Sequence, residues 1–171
     1  MDPETREPNK SALVLGYGRH ETRLFEILES FDFVVAHSRD PVGSVEDFDL
    51  VVSFGFKHII KPMTINSARR PIINLHISYL PFNRGMHPIF WSFFYGTPNG
   101  VTIHEINEEL DTGAILKREL VNLRDADMTF REAHALLIQK IETLFEESVL
   151  DIMQGKIKAT PQEFRSRVNS A

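Results

Sequence analysis

The chain has 171 residues, no cysteine and a net charge of −5 from 19 basic and 24 acidic side chains. That length can bury a full single-domain core unaided. The missing cysteine excludes disulfides, thiolate metal sites, Fe–S clusters and cysteine nucleophiles, and the acidic balance argues against a protein built mainly to grip a nucleic-acid backbone.

Residues 1–10 are polar and lack the apolar stretch of a signal peptide, so they read as a flexible arm. No apolar run approaches the roughly 18 residues of a membrane span, and a cytoplasmic location is expected. Residues 11–15 form a short apolar strand ending at Gly16-Tyr17-Gly18. Leu24, Ile27, Leu28 and Phe31 then follow the spacing of one buried helical face. Residues 33–36 and 49–54 are further short apolar strands. Continuous apolar strands alternating with helices predict an α/β fold with a mostly parallel sheet flanked by helices. The link from 37 to 48 is punctuated by Pro and Gly and shows no helical period. At roughly 3.3 Å per extended residue it can cross a domain, but it leaves little room for a crossover helix. The N-terminal part of the fold is therefore expected to be abbreviated.

Residues 58–67 suggest a short helix with Pro62 near its first turn, 71–78 a strand, and 86–95 a helix opened by Pro88 and stopped by Gly96. That helix carries Phe90, Trp91, Phe93, Phe94 and Tyr95 and is apolar almost all round. A core helix is favoured over a base-stacking platform. The surplus apolar surface predicts burial part against the sheet and part against a second subunit of a homodimer, with a monomer whose final helix covers the remainder as the competing reading. Two more strands are expected at 101–106 and 115–120. A capping box at Thr129-Phe130-Arg131-Glu132 then opens a long helix whose buried face runs through Phe130, Ala133, Leu137, Ile141, Leu144, Phe145 and Ile152 to a stop at Gly155. The expected organisation is an arm at 1–10, a single domain at 11–161 and a polar tail at 162–171.

Two segments stand out chemically. In residues 72–78, Ile-Ile-Asn-Leu-His-Ile-Ser, alternation places Asn74, His76 and Ser78 on one face of a strand that should be apolar on both. Polar groups near the carboxyl end of a strand suit a reaction centre; an internal hydrogen-bond network or a solvated edge would also account for them. Glu105 to Gly113 is a compact acidic loop, and its Asp111-Thr112-Gly113 taken alone reads best as a tight turn. Gly16-Tyr17-Gly18 opens a helix but lacks the third glycine of a dinucleotide fingerprint, and the acidic residue expected about 20 positions on is replaced by His37 and Arg39. The seven histidines show no metal-ligand spacing, so no metal is expected.

The stretch from Asn74 to Pro81 with Arg84-Gly85, and Gly100-Val101-Thr102-Ile103-His104 followed by Leu110-Asp111-Thr112-Gly113, resemble the signatures of folate-dependent formyltransferases. Ser53 to Ile60 is similar to that family's folate-pocket strand and loop. The resemblance spans residues 11–161 and is dense from 49 to 116. It implies a Rossmann-like fold and transfer of a formyl group from N10-formyltetrahydrofolate, as co-substrate, to an amine. It also implies Asn74, His76 and Asp111 as the catalytic residues. The pterin is then expected beside Phe56, His58, Ile60, Asn107 and Asp111, in a pocket built largely from backbone groups.

Methionyl-tRNA formyltransferases resemble this core but add a C-terminal tRNA domain, and phosphoribosylglycinamide formyltransferases place small polar residues where Tyr17, Arg19 and His20 stand. The segments around 76–85 and 55–61 and the aromatic helix are most similar to formyltransferases acting on nucleotide-linked amino sugars. The expected partner is therefore a small phosphate-bearing amine, with Arg84, Arg19 and Lys57 as anion contacts. Alternatives are glycinamide ribonucleotide as acceptor, or a folate-binding interaction protein on the same core.

Overall fold

The apolar strands of the first half of the chain line up as the parallel part of one sheet. The computed structural model describes residues 10–123 and 127–163. Its strands are β1 (Lys10–Gly16), β2 (Phe33–Ser38), β3 (Leu50–Phe54), β4 (Ile73–His76), β5 (Gly100–Glu105) and β6 (Ile115–Leu120), in the spatial order β2-β1-β3-β4-β5-β6. β1 pairs in parallel with β2 and β3, and β3 with β4; the β4–β5 and β5–β6 pairs are antiparallel. Only β5 runs against the rest, in agreement with the mostly parallel α/β sheet expected. The connections carry α1 (Leu24–Ser30), α2 (Pro62–Ser67) and α3 (Pro88–Tyr95), and α4 (Phe130–Glu146) and α5 (Val149–Met153) follow β6. The 39–49 link contains no helix, so this end of the fold is abbreviated as anticipated.

Side chains alternate along each strand and so divide the sheet into two unequal faces. Ala12, Val14, Val52, Leu75 and Ile103 form the larger core with Leu24, Ile27 and Leu28 of α1 and Leu137, Ile141 and Phe145 of α4. Leu13, Leu15, Val45, Val51 and Ile72 form a smaller core on the opposite face, joined by Phe56, Ile60 and Ile106. Ser53 pairs with Asn74 across β3 and β4, two positions on from Val51, so Asn74 belongs to this second face. Hydrophobic cover thins there, and the polar side chains of Asn74 and His76 occupy the space.

Several boundaries differ from the sequence expectation for local reasons. β4 is shorter than 71–78. Beyond His76 the Leu80 N–H bonds the Thr102 hydroxyl (3.1 Å) and the Phe82 N–H turns back to the Tyr79 carbonyl (3.1 Å), so the ladder cannot continue. α2 begins only at Pro62, because the residue before a proline is driven to extended geometry; Lys61 has φ −69° and ψ 150°. The long last helix is split. Ser148 is fully buried, its hydroxyl bonds the Leu144 carbonyl, and its N–H bonds the Phe145 carbonyl in a tighter turn (2.9 Å), so α5 starts anew.

Within the chain α3 is buried along one side only. Pro88, Ile89 and Ser92 are buried, but Phe90, Phe93, Phe94 and Tyr95 are exposed. An eight-residue helix resting on one line of contact cannot bury aromatics spread around its circumference. The i, i+4 pairs instead stack on the helix surface, Phe90 with Phe94 (ring centres 6.0 Å) and Trp91 with Tyr95 (5.5 Å). Phe130, placed on the buried face of α4, sits at its first position, exposed, edge-on to Phe93.

Candidate active site

The antiparallel register of β4 on β5 builds the polar face. Asn74 lies opposite His104 and His76 opposite Thr102, so alternation puts all four on the side away from the larger core. The Thr102 hydroxyl donates to the Ser78 carbonyl (2.7 Å) and accepts from the Leu80 N–H (3.1 Å), fixing the turn after His76. That turn contains the cis Leu80–Pro81 bond and leads into the 81–85 loop.

Asp111 reaches this face from an unexpected side. β5 is antiparallel, so the 106–114 loop leaves it at the amino end of β4, where the Ile106 N–H bonds the Ile72 carbonyl (2.7 Å). It then folds back over the sheet. Asn107 knots the loop, its Oδ1 accepting from the Glu109 N–H (3.1 Å) and the Thr112 hydroxyl (2.9 Å). Gly113 allows the return: a Cβ there would lie 1.8 Å from the Glu105 carbonyl oxygen. Asp111 itself adopts φ 52°, a left-handed conformation rare for a side-chain-bearing residue.

The Asp111 carboxylate collects the site. Oδ2 accepts from the Gly85 N–H (2.9 Å) and lies 3.7 Å from His76 Nδ1. Oδ1 accepts from Asn74 Nδ2 (3.3 Å) and lies 3.5 Å from His104 Nε2. The sequence-predicted trio Asn74, His76 and Asp111 is therefore brought together, with His104 as a fourth member. His104 Nδ1 is 2.8 Å from the Glu105 carbonyl, which can only accept, so Nδ1 carries the proton. Nε2 then faces Asn74 Nδ2 at 3.1 Å. The carboxylate orients that amide, because only its NH2 end can face both Asp111 and a lone pair of His104.

Burial opposes ionisation of Asp111, but the neighbouring imidazoles of His76 and His104 and the bond from the Gly85 N–H outweigh it and hold the carboxyl well below its usual range. Burial dominates at His76 and pushes its pKa below the ordinary imidazole value, with Asp111 opposing. The His76 ring faces two acceptors, Asp111 and, at 3.4 Å from Nε2, the Asn83 carbonyl. Neither contact is a tight hydrogen bond. The resting arrangement is thus a neutral imidazole beside a carboxylate, with acceptors on both nitrogens ready for an added proton.

Other candidate residues lie elsewhere or have other partners. Phe56 and His58 pack edge to face (5.3 Å), and Phe56 and Ile60 share the smaller core with Ile106, so the 56–60 segment and the start of the Asp111 loop lie on one face. Arg19 bonds Glu29 (Nη1 to Oε2, 3.0 Å) and lies over the Phe25 ring, against α1. Lys57 is exposed. Arg84 donates from Nε and Nη2 to Gln162 Oε1 (3.2 and 2.7 Å). The Gly18 N–H, offered by the glycine loop after β1, donates to Glu21 Oε2 (2.8 Å). A cavity of about 470 Å³ lies between the turn after β4 and β6, lined in part by Tyr79, Phe82, Arg118, Pro161 and Gln162.

Sequence reasoning missed the roles of His104 and Gln162. His104 carried a signal, since it interrupts the apolar strand Val101 to Ile106 on the side opposite Val101 and Ile103. Gln162, in a polar stretch, carried none.

Residues 37–141 match the family described as formyl transferase. The formyltransferase PseJ from Anoxybacillus kamchatkensis, solved with UDP-4,6-dideoxy-4-formamido-L-AltNAc and tetrahydrofolate, superposes with a TM-score of 0.85 at 37% identity, over 93% of this chain and 85% of that one. GDP-perosamine N-formyltransferase of Brucella melitensis is 31% identical over 114 residues, 66% of this chain and 44% of the relative. Methionyl-tRNA formyltransferase of Clostridium acetobutylicum is 35% identical over 117 residues, 68% of this chain and 37% of the relative. The chain thus spans less than half the length of these two curated relatives, and what it shares with them is the segment that holds Asn74, His76, His104 and Asp111. On the match over 37–141 and the fold it shares with PseJ, this chain belongs to the formyl transferase family.

Proposed function

We propose that the chain transfers the formyl group of N10-formyltetrahydrofolate to the primary amine of a nucleotide-linked amino sugar. The observation that carries this reading is the convergence of Asn74, His76 and Asp111 on one polar sheet face, in a chain 37% identical to a structure holding a formamido-sugar nucleotide and tetrahydrofolate.

The folate supplies an electrophilic formyl carbon bound to N10. The acceptor nitrogen attacks that carbon, a C–N bond forms, and negative charge builds on the formyl oxygen. Donors already in place lower the barrier to that charge. In the free chain the two N–H groups of Asn74 Nδ2 face Asp111 Oδ1 and His104 Nε2, and one of them turns to the formyl oxygen as its charge builds. The attacking amine must lose a proton, and neutral His76 takes it. The imidazolium that results is stabilised by the Asp111 carboxylate at 3.7 Å. His76 then delivers the proton to N10 as the bond from N10 to the formyl carbon breaks, leaving tetrahydrofolate and a formamide. In this reading the pterin lies against residues 56–60 and 107–111, and its polar edge is met by backbone groups of those segments.

The test is a transfer assay with the full chain, N10-formyltetrahydrofolate and three amines: a UDP-linked 4-amino sugar, glycinamide ribonucleotide and methionyl-tRNA. The UDP-linked sugar is expected to be formylated fastest, with release of one tetrahydrofolate per formamide. Formylation of methionyl-tRNA alone, or no folate turnover with any amine, would reject the proposal.

A further inference from the structure

The segment after α5 returns to the sheet and touches the site from outside. Thr160 forms an antiparallel bridge with Ile115, with both N–H to carbonyl bonds at 2.8 Å. This places Gln162 beside the 106–114 loop, where its carboxamide is used at both ends. Nε2 donates to the carbonyls of Asp111 (2.9 Å) and Gly113 (2.8 Å), and Oε1 accepts the two-pronged bond from Arg84. One side chain therefore ties the loop that presents Asp111 to the 81–85 loop. The 81–85 loop in turn holds the Asp111 carboxylate through the Gly85 N–H.

We propose that Gln162 is a positioning residue of the active site: it fixes the left-handed turn at Asp111 so that the carboxylate stays against His76 and Asn74. The chemistry calls for an amide. The two carbonyls need two N–H donors from one atom, and the guanidinium needs an acceptor about 2 Å away on the same planar group. Glutamate offers the acceptor and no donor; lysine offers donors and no acceptor. The turn also needs outside help, because a non-glycine residue with positive φ persists only where its surroundings over-determine it.

The kinetic consequence of this inference rests on the formyl-transfer reading above; its geometric consequence does not. The charged or titratable groups facing His76 are Asp111 and His104, with Arg84 acting on Asp111. If Asp111 is released, His76 loses the charge that raises its pKa.

The experiment compares wild type with Gln162→Ala and Gln162→Glu in the full chain, following the His76 ring by NMR titration and the transfer kinetics in parallel. The His76 titration is expected to move to lower pH by about half a unit or more. kcat is expected to fall ~10-fold or more with the KM for the amine changed less than ~2-fold, as loss of orientation without loss of contact implies. If Gln162→Ala does not fold, Gln162→Glu, which keeps the volume and the Arg84 acceptor, carries the same readouts. A folded variant whose His76 titrates as in wild type overturns the proposal, as does an unchanged kcat in an active wild-type background. If wild type transfers no formyl group, the formyl-transfer reading fails, and the His76 titration still decides the role of Gln162.

Discussion

A buried carboxylate stays ionised only where donors replace the water it has lost. At Asp111 those donors are the Gly85 N–H and the Asn74 amide, with two imidazoles within 3.7 Å. Replacing Asp111 by Ala leaves the amide of Asn74 and the ring of His76 without their common anchor, and replacing His76 by Ala removes the proton carrier of the proposed transfer. Each variant is expected to fold, by circular dichroism, and to turn over at least ~100-fold more slowly. The pH dependence follows from the same pair. His76 has a folded pKa below its ordinary value, so the neutral form that the proposed transfer uses accumulates as pH rises through that lowered pKa. kcat/KM is expected to rise along an acid limb below about pH 6.5 and then level. Asp111→Asn removes the charge that opposes the lowering and should move any residual limb to still lower pH. Stability changes in the same direction. The unfolded chain binds the His76 proton more readily, so that contribution is complete above about pH 6.5 and is lost as pH falls toward the folded pKa. The contribution of Asp111 is complete above its unfolded pKa near 3.8 and is lost below it. Thermal melts from pH 8 to pH 4 should show Tm falling, never rising, on acidification.

At the scale of elements, the N-cap residue of α1, Arg23, makes no side-chain cap; the Thr22 hydroxyl accepts from the Leu24 N–H (3.1 Å), and the rest of the cap comes from another helix. Glu142 of α4 is 4% exposed, and its Oε1 accepts from the Thr22 hydroxyl (2.7 Å) and the Arg23 N–H (2.9 Å) at the start of α1. Glu142→Ala leaves the buried Thr22 hydroxyl and the part-buried Arg23 N–H without this acceptor, and urea unfolding should show a loss of about 1–3 kcal/mol. Thr129→Ala removes the observed capping box of α4 and should cost about 1 kcal/mol. The second of these interactions was readable in the four residues Thr129 to Glu132; the first was not, because it joins residues 119 and 120 positions apart. The same contrast separates the elements that were anticipated from those that were not. α2 and α3 could be placed from Pro62, Pro88 and Gly96, which act on their own backbone. The exposure of Phe90, Phe93 and Phe94 depends on where the sheet lies relative to α3, and an apolar run is silent on that.

At the scale of the whole molecule, the small second face of the sheet gathers the 56–60 segment, the Asp111 loop and the polar β4–β5 stripe. A folate that binds there stabilises the folded chain by mass action, about 2.7 kcal/mol at a hundredfold excess over Kd. 5-Formyltetrahydrofolate is expected to raise Tm in a scanning assay, whereas NAD at the same concentration is expected to leave it unchanged, since the Gly18 N–H is already engaged by Glu21. Taken by itself, the sequence determined the α/β class, the order of the strands, the missing helix between β2 and β3 and the polar strand face of Asn74 and His76. All of these rest on patterns that act within a few residues: alternation, caps, turn residues and motif spacing. Only the tertiary structure decided which groups meet. The register of β4 on β5 set His104 against Asn74, the reversal of β5 brought Asp111 over the sheet from the opposite end, and the bridge at Thr160 delivered Gln162 to that loop. Each of these pairings is set by how far-separated segments pack, and a side chain 51 residues from its partner leaves no trace in a local pattern.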